Sequence, residues 1–331
     1  MSSPIRFLTS LIVAVLVVGC DRSFNPKAEF KEQYVLQCFV QGADYGAPTS
    51  VTAVIARTYD VDGFNPSVNT NDPSISGAEV SLTFDQKNYY LSGVLRPNPD
   101  TSRYGTRQWV YTSTVPAPRP DVAFKVTAKL PNGKILTGQT TVPRGRNIVS
   151  SYDFPAGLTA HFSRDPERPN WTLSWANQDV TDAHLFVPRL TIAYTKLIGN
   201  DELTGIVTVP LNYIPSSRGI IPVYPAMTTA MSCSFEFPAL DSAMAQISGN
   251  DPNKLSYGTH MALLEIIEYD TPLTKYFSSI NGSLDQYSIR TDESVYSNID
   301  GGIGIVGSYV VYKAYFHLDE RYVAYFGYRY R

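Results

Sequence analysis

Gly77-Ala78-Glu79-Val80-Ser81-Leu82-Thr83-Phe84 alternates apolar Ala78, Val80, Leu82 and Phe84 with polar Glu79, Ser81 and Thr83. In an extended chain successive side chains point to opposite faces, so this period of two marks a half-buried β-strand. The same pattern extends in both directions. Upstream, Tyr34–Val40 and Ser50–Tyr59 read as strands around the Gly- and Pro-bearing turn Gly42–Pro48. Downstream, Tyr89–Leu95, Gln108–Val115, Phe124–Leu130 and Ile135–Val142 continue the series. The last two flank Pro131-Asn132-Gly133-Lys134, whose central Asn-Gly is a strong hairpin signal, and Pro143 closes the unit. Some seven short strands in about 110 residues predict a β-sandwich over residues 32–145.

A second β-rich unit is expected over 150–331. Trp171-Thr172-Leu173-Ser174-Trp175 puts Trp171, Leu173 and Trp175 on one face. Leu158–Phe162, Leu185–Lys196 and Gly205–Leu211 read as strands, residues 212–226 as a Pro-broken loop, and Thr259–Tyr269 as strand or helix. Thr271-Pro272 looks like a helix start, with Thr271 as N-cap and Pro272 in the first turn. Leu273, Tyr276, Phe277 and Ile280 keep helical spacing up to Asn281-Gly282. The tail carries two aromatic strand candidates, Tyr309–Leu318 and Tyr322–Tyr330. The fold class is thus mostly β: an immunoglobulin-like β-sandwich, then a second β-rich domain with one or two short helices.

Before both units comes an address. Arg6 precedes an apolar run from Phe7 to Val18, which ends in Val17-Val18-Gly19-Cys20. This is the order of a secretory signal over residues 1–19. As a helix the run is roughly 18 Å long, against a hydrocarbon core of about 30 Å, too short for a lasting span. Val17-Val18-Gly19-Cys20 resembles the bacterial lipobox, in which the cysteine thiol accepts diacylglycerol. Cys20 is the expected lipidation site, and residues 20–31 the lipidated tether. Acyl chains on one cysteine supply the two signals that stable membrane anchoring needs. Asp21 resembles an inner-membrane retention signal of enterobacteria, a meaning it does not carry in other envelope systems.

Composition fits a folded protein outside the cytoplasm, with 43% hydrophobic and only 17% charged residues and with Tyr (23) outnumbering Phe (15) and Trp (3). The net charge is −3 and there is no basic stripe, so nucleic acid is not an expected partner. Apart from Cys20, only Cys38 and Cys233 remain. Pairing is open in an oxidising compartment, but each sits in an apolar alternating stretch of a different unit, which favours two buried thiols.

Candidate chemistry is sparse. Asp60, Asp62, Asn65, Asn69, Asn71 and Asp72 crowd one polar loop, where oxygen ligands could hold Ca²⁺, but the EF-hand order is missing and a solvated loop is the plainer reading. His161, His184, His260 and His317 have no paired zinc spacing. Neither HExxH nor Gly-x-Ser-x-Gly occurs. Glu265 and Glu268 would share a face on a helix and point oppositely on a strand. Four glycines between Asn298 and Gly307 lack the Lys-Ser/Thr of a phosphate loop and read as a tight turn. Tyr309, Tyr312, Tyr315, Tyr322, Tyr325, Tyr328 and Tyr330 are the best binding candidates, weighed against a role at the sheet rim. No catalytic residue, cofactor or metal site is assigned.

Two resemblances add to this. Ile75-Ser76-Gly77-Ala78-Glu79-Val80-Ser81-Leu82, with Pro131-Asn132-Gly133-Lys134 and Thr140-Thr141-Val142-Pro143, resembles carboxypeptidase-regulatory and transthyretin-like sandwiches. Tyr296-Ser297-Asn298-Ile299-Asp300-Gly301-Gly302-Ile303-Gly304-Ile305-Val306-Gly307 resembles the signature of a domain-of-unknown-function family. That family occurs in Bacteroidota-type envelope lipoproteins, often encoded beside TonB-dependent outer-membrane receptors. Val306 stands where the family usually has Phe. The resemblance implies an address, lipid-anchored in the envelope at the outer membrane, and a fold, but no reaction. From the anchor, the two β units and the lack of a catalytic constellation, the expected role is a non-enzymatic accessory or binding partner of an outer-membrane receptor or transport system, or of an envelope polymer. A structural or adhesive surface module, and an envelope hydrolase with an unrecognised site, are the alternative expectations.

Overall fold

The computed structural model describes residues 30–43, 47–61, 69, 72–98, 107–144, 147–150, 160–162, 169–176, 184–217, 219–281 and 296–331. The leader and tether, with Cys20, lie outside the described residues.

The chain is mostly β. Its first seven strands are β1 (Tyr34–Gly42), β2 (Pro48–Arg57), β3 (Glu79–Phe84), β4 (Lys87–Pro97), β5 (Arg107–Pro116), β6 (Ala123–Lys129) and β7 (Ile135–Thr141). Alternation does what the sequence predicts: Val80, Leu82 and Phe84 are buried and Glu79 is exposed. Asp85 and Gln86 (φ 48° and 61°) make the two-residue turn into β4. Asn132-Gly133 turns β6 into β7, and Asn132 Oδ1 accepts from Lys134 N (3.1 Å).

Strand order is β1-β2-β5-β4 in one layer and β4-β3-β6-β7 in the other. With β1 as A and β7 as G, this is the ABED/CFG arrangement of an immunoglobulin-like sandwich. The long β4 serves both layers, since Lys87–Leu91 pairs with β3 and Ser92–Pro97 pairs with β5. Tyr111, buried in β5, clamps the entry to β3: its hydroxyl donates to Ile75 O and accepts from Ala78 N, both at 2.8 Å.

The chain then builds β8 (Asn147–Ser150), β9 (Ala160–Phe162), β10 (Asn170–Ala176), β11 (Phe186–Ile198) and β12 (Asp201–Val209). After them come β13 (Asn212–Ser216), β14 (Gly219–Val223), β15 (Ser232–Glu236), α1 (Phe237–Ser248), β16 (Tyr257–Tyr269) and α2 (Thr271–Asn281). The last elements are β17 (Ile299–Asp300), β18 (Ile303–Leu318), α3 (Glu320–Tyr325) and β19 (Arg329–Tyr330). The layer β15-β10-β8 and helix α1 cover one face of β12-β11-β16-β18. Trp171, Leu173 and Trp175 all point into that second core, as their spacing predicts, and Trp171 meets Phe316 edge-on at 5.1 Å.

The two cores share β18. Its first half pairs in parallel with β1, from Val35↔Ile303 to Gly42↔Val310. Its second half pairs antiparallel with β16, from Tyr269↔Tyr309 to Met261↔His317. Val306 and Val310 belong to the first core, Phe316 and Leu318 to the second. Ile299 of β17 also joins the first core, beside β7. The segment Ile299–Val310, which a division at 145/150 leaves with the second unit, therefore completes the first sandwich. One 14-stranded sheet runs through the molecule as a result.

Four local expectations change. Residues 212–226 hold the hairpin β13–β14, not only loop: Pro215 and Pro222 are tolerated because this two-stranded sheet consists of edges. Tyr322–Tyr330 is not a strand: Asp319 Oδ1 accepts from Arg321 N and Tyr322 N and starts α3, and only Arg329–Tyr330 is extended. The N-cap of α2 is Asp270 rather than Thr271, because Asp270 Oδ1 accepts from Leu273 N at 2.8 Å. Helix α1 makes three described helices where one or two were expected. Pro238 in its first turn, Leu240, Met244 and Ile247 at helical spacing, and Gly249 after it were the available signals.

Candidate binding surface

Several candidates from the sequence are structural. Asp72 accepts from Ser74 N (2.9 Å) and from the Ser74 hydroxyl, and Asp60 Oδ1 accepts from Val61 N (2.8 Å). These carboxylates cap their own loop beside a cleft of about 520 Å³ that Arg57 also lines. Asp62, Asn65 and Asn71 lie outside the described residues. Among the described residues no group of three His, Cys, Asp or Glu side chains is placed to hold a metal ion. Asn298 serves as a splint: Oδ1 accepts from Val306 N (2.9 Å), while Nδ2 donates to Val306 O (2.7 Å) and Gln139 O (3.2 Å). The expected tight turn is confined to Gly301-Gly302, with a φ of 82° at Gly301, whereas Ile303–Gly307 is not turn but the start of β18, paired with β1, and the φ of 123° at Gly304 falls within that strand.

Glu265 and Glu268 lie on β16 and face opposite ways. Glu265 pairs with Lys313 (3.2 Å) on the open face. Glu268 is fully buried with His184 Nδ1 at 2.9 Å. The two acids do not form a couple. Cys38 lies in the first core, and Cys233 packs against the second; both thiols are free, and burial pushes each up to about 12. At such values neither is a nucleophile near neutral pH.

The tyrosine tail divides. Tyr322 and Tyr328 are buried, and the Tyr328 hydroxyl donates to Met244 O (2.8 Å), so they hold α1. Tyr315, Tyr325 and Tyr330 are exposed. Separation along the chain hid one association. His260 on β16 and His317 on β18 bring their rings to 5.5 Å between centroids.

The most apolar exposed surface was not anticipated. Among the described residues β12 has one strand neighbour, β11, and so forms an end of the large sheet. Such edges are ordinarily blunted by charged side chains, Pro or a bulge; β12 reads Asp201-Glu202-Leu203-Thr204-Gly205-Ile206-Val207-Thr208-Val209, pairs with β11 in unbroken register without Pro or bulge, and carries charge only at its first two residues. Ile206 is 71% exposed, and Leu203 and neighbouring Ile198 are also in solvent. The β13–β14 hairpin adds Ile214, Ile220 (75% exposed) and Ile221. Gly205 leaves room for the Tyr194 ring, since a Cβ there would lie 2.4 Å from it. A hollow of about 300 Å³ opens beside them, lined by Tyr194, Ile206, His260, Met261 and Arg331 among others. An edge with exposed apolar side chains can accept a further strand by main-chain hydrogen bonding, its pockets then selecting side chains.

No family model matches the chain, and no curated protein does. Among solved structures, the three-domain (Ig1–Ig3) ectodomain of mouse nectin-like molecule 4 is similar at a TM-score of 0.21 and 10% identity, over 86% of this chain. The match covers 64% of that ectodomain, less than two-thirds of its length. The strand order, not this likeness, identifies the sandwich. No described helix is long and apolar enough to cross a membrane.

Proposed function

We propose that this chain is a non-enzymatic cell-envelope lipoprotein, anchored through lipid on Cys20 at the outer membrane, that binds a receptor, transport component or envelope polymer. The observation that carries the binding half is the exposed apolar edge of β12 with the adjoining hairpin, because a monomeric protein rarely leaves such an edge unprotected. The lipobox-like Val17-Val18-Gly19-Cys20 supports the anchoring half.

Each half has its own test. Mass spectrometry of the mature N-terminus should find acylated Cys20; an unmodified N-terminus at another residue overturns the anchor. Pull-down of the full chain from detergent-solubilised membranes should recover a stoichiometric partner from wild type and not from Ile206→Lys. Equal recovery by both moves the contact elsewhere, and no partner for either overturns the binding role.

A further inference from the structure

Gly199-Asn200 joins β11 to β12 as a two-residue turn, with a φ of 63° at Gly199. Such a turn closes on a hydrogen-bonded pair, here Ile198 and Asp201, and bonded and non-bonded pairs then alternate along an antiparallel ladder. Asp201, Leu203, Gly205, Val207 and Val209 therefore bond to β11, while Glu202, Thr204, Ile206 and Thr208 aim their main-chain N–H and C=O groups away from it. Among the described residues no strand meets these groups. The side chains of the same four residues share one face. That face is the open one, because Val207 and Val209 of the alternate set pack toward the second core.

This edge is complementary to a second copy of itself. A two-fold axis perpendicular to the sheet at Gly205 sets two β12 strands antiparallel and overlaps the whole of Asp201–Val209. The outward residues then meet only one another: Glu202 faces Thr208 of the second copy, and Thr204 faces its Ile206, each pairing occurring twice. About eight main-chain hydrogen bonds result. The side chains agree with this register. Exposed Ile206 stands against the smaller Thr204, at the mouth of the 300 Å³ hollow, where Thr195 and Gly258 follow across the sheet. On the other face Leu203, also exposed, meets Val207 of the second copy. At the axis two glycines lie side by side, and the Tyr194 ring occupies the place that a Cβ on Gly205 would take.

Charge selects the same register. Asp201 and Glu202 are the charged residues of β12, and they fall opposite Val209 and Thr208 rather than opposite another acid, where like charges would repel. Glu202 is also held by the Arg331 guanidinium at 3.0 Å, which offsets its charge. Sliding the strands by two residues one way sets Ile206 against Ile206, and the other way sets it against Glu202; either slide shortens the overlap. The antiparallel arrangement also carries the Ile198–Leu203 end of one strand to the end from which the other copy's β13–β14 hairpin leaves. Exposed Ile198 and exposed Ile214, Ile220 and Ile221 thus fall at the same ends of the interface.

We propose that two copies of this chain pair β12 to β12 in a two-fold dimer centred on Gly205, which continues the sheet across both copies and covers the edge while no other partner is engaged. This rests on the reading of β12 as a docking edge and names what occupies it in the purified chain.

The test is light scattering of the purified full chain in detergent, followed by disulfide cross-linking. Wild type should be a dimer and Ile206→Lys a monomer at the same concentration; both carry the same anchor, so sharing of a micelle would show in both. Ile206 is exposed in the single chain, so the variant should unfold at the wild-type denaturant concentration when both are dilute enough to be monomeric. Thr204→Cys and Ile206→Cys proteins, mixed, allowed to exchange and oxidised, should cross-link, since directly opposite Cα atoms lie about 5.5 Å apart. Neither variant alone should do so, because identical positions then stand two residues out of register, beyond the roughly 7 Å that a disulfide spans. A monomeric wild type overturns the dimer. A dimer that persists in Ile206→Lys, or cross-linking no greater in the mixture than in either variant alone, overturns the β12 interface. The sample holds no other protein, so a monomer here leaves the membrane pull-down to decide the receptor reading, and an empty pull-down leaves the dimer standing.

Discussion

The two halves of β18 differ in what their neighbours allow. From Ile303 to Val310 the strand is sealed: Ile305, Val306 and Ser308 are fully buried, a Cβ on Gly304 would lie 2.1 Å from Leu36 O, and one on Gly307 would lie 2.3 Å from Leu273 Cγ. From Val311 to Leu318 only one face is covered. Phe316 and Leu318 enter the second core, while Lys313 and Tyr315 stand on an exposed face beside His317. One continuous strand is thus a structural weld in its first half and a half-open surface in its second. Sequence variation should be costly in the first and tolerated in the second, except where the open face binds something.

The sharpest way to break this contrast is Gly304→Ala. It forces a side chain into a left-handed φ of 123° against a main-chain oxygen. We expect a loss of roughly 4 kcal/mol or outright failure to fold, read by urea denaturation. A stable Gly304→Ala protein would show that the seam is looser than its geometry.

Next comes Asp270, the buried carboxylate at the seam. Its Oδ2 accepts from Thr140 Oγ1 (2.7 Å) on β7, and from Ser308 Oγ (2.8 Å) and Ser308 N on β18, while Oδ1 caps α2. Asp270→Ala leaves these donors unpaired and should cost about 3 kcal/mol.

The same residue gives a pH signature. Burial raises the Asp270 carboxyl above 3.8, although hydrogen bonds from Thr140, Leu273 and Ser308 oppose the shift. The folded state then holds this proton more tightly than the unfolded state. The Asp270 contribution to stability is fully present at acid pH and declines as pH rises from 3.8 through the folded value. At the surface Asp251 behaves oppositely: the Asn253 N–H, Lys196 and Tyr257 lower it, so its contribution is lost as pH falls through that lowered value. Subtracting the Asp270→Asn stability–pH curve from that of wild type should leave a difference that shrinks as pH rises through the upper window. A flat difference would refute the assignment.

The smallest effect on stability belongs to the open region. Ile206→Lys should change unfolding free energy by less than about 0.5 kcal/mol while abolishing partner recovery. A large destabilisation would mean that Ile206 packs in solution and is not free for binding.

Local patterning made the first seven strands and the Trp171–Trp175 face legible, because alternation follows directly from having one buried side. It did not reveal the return of β18 to β1. Ile305 and Val306 sit among the glycines that read as a tight turn, and periodicity says how a strand is buried, not which strand it joins. Aromatic β-propensity suggested a strand at Tyr322–Tyr330, but the Asp319 cap decided for a helix. The glycine turn was legible because positive φ leaves few alternatives. The His260–His317 association was not, since it depends on a one-residue bulge and on a pairing between strands distant in sequence.

The pairing of β1 with β18 also sets a timetable. A polypeptide that emerges from its N-terminus presents Val35 early, but its partner Ile303 arrives only after β2 through β17 have passed. Until then one edge of β1 stays open, and the first sandwich waits for the tail to close it. Contacts that span so much chain are slow to form, because loop closure precedes any reward. A truncation that removes β18 should therefore leave the first sandwich trapped with an adhesive edge, although its own seven strands are intact.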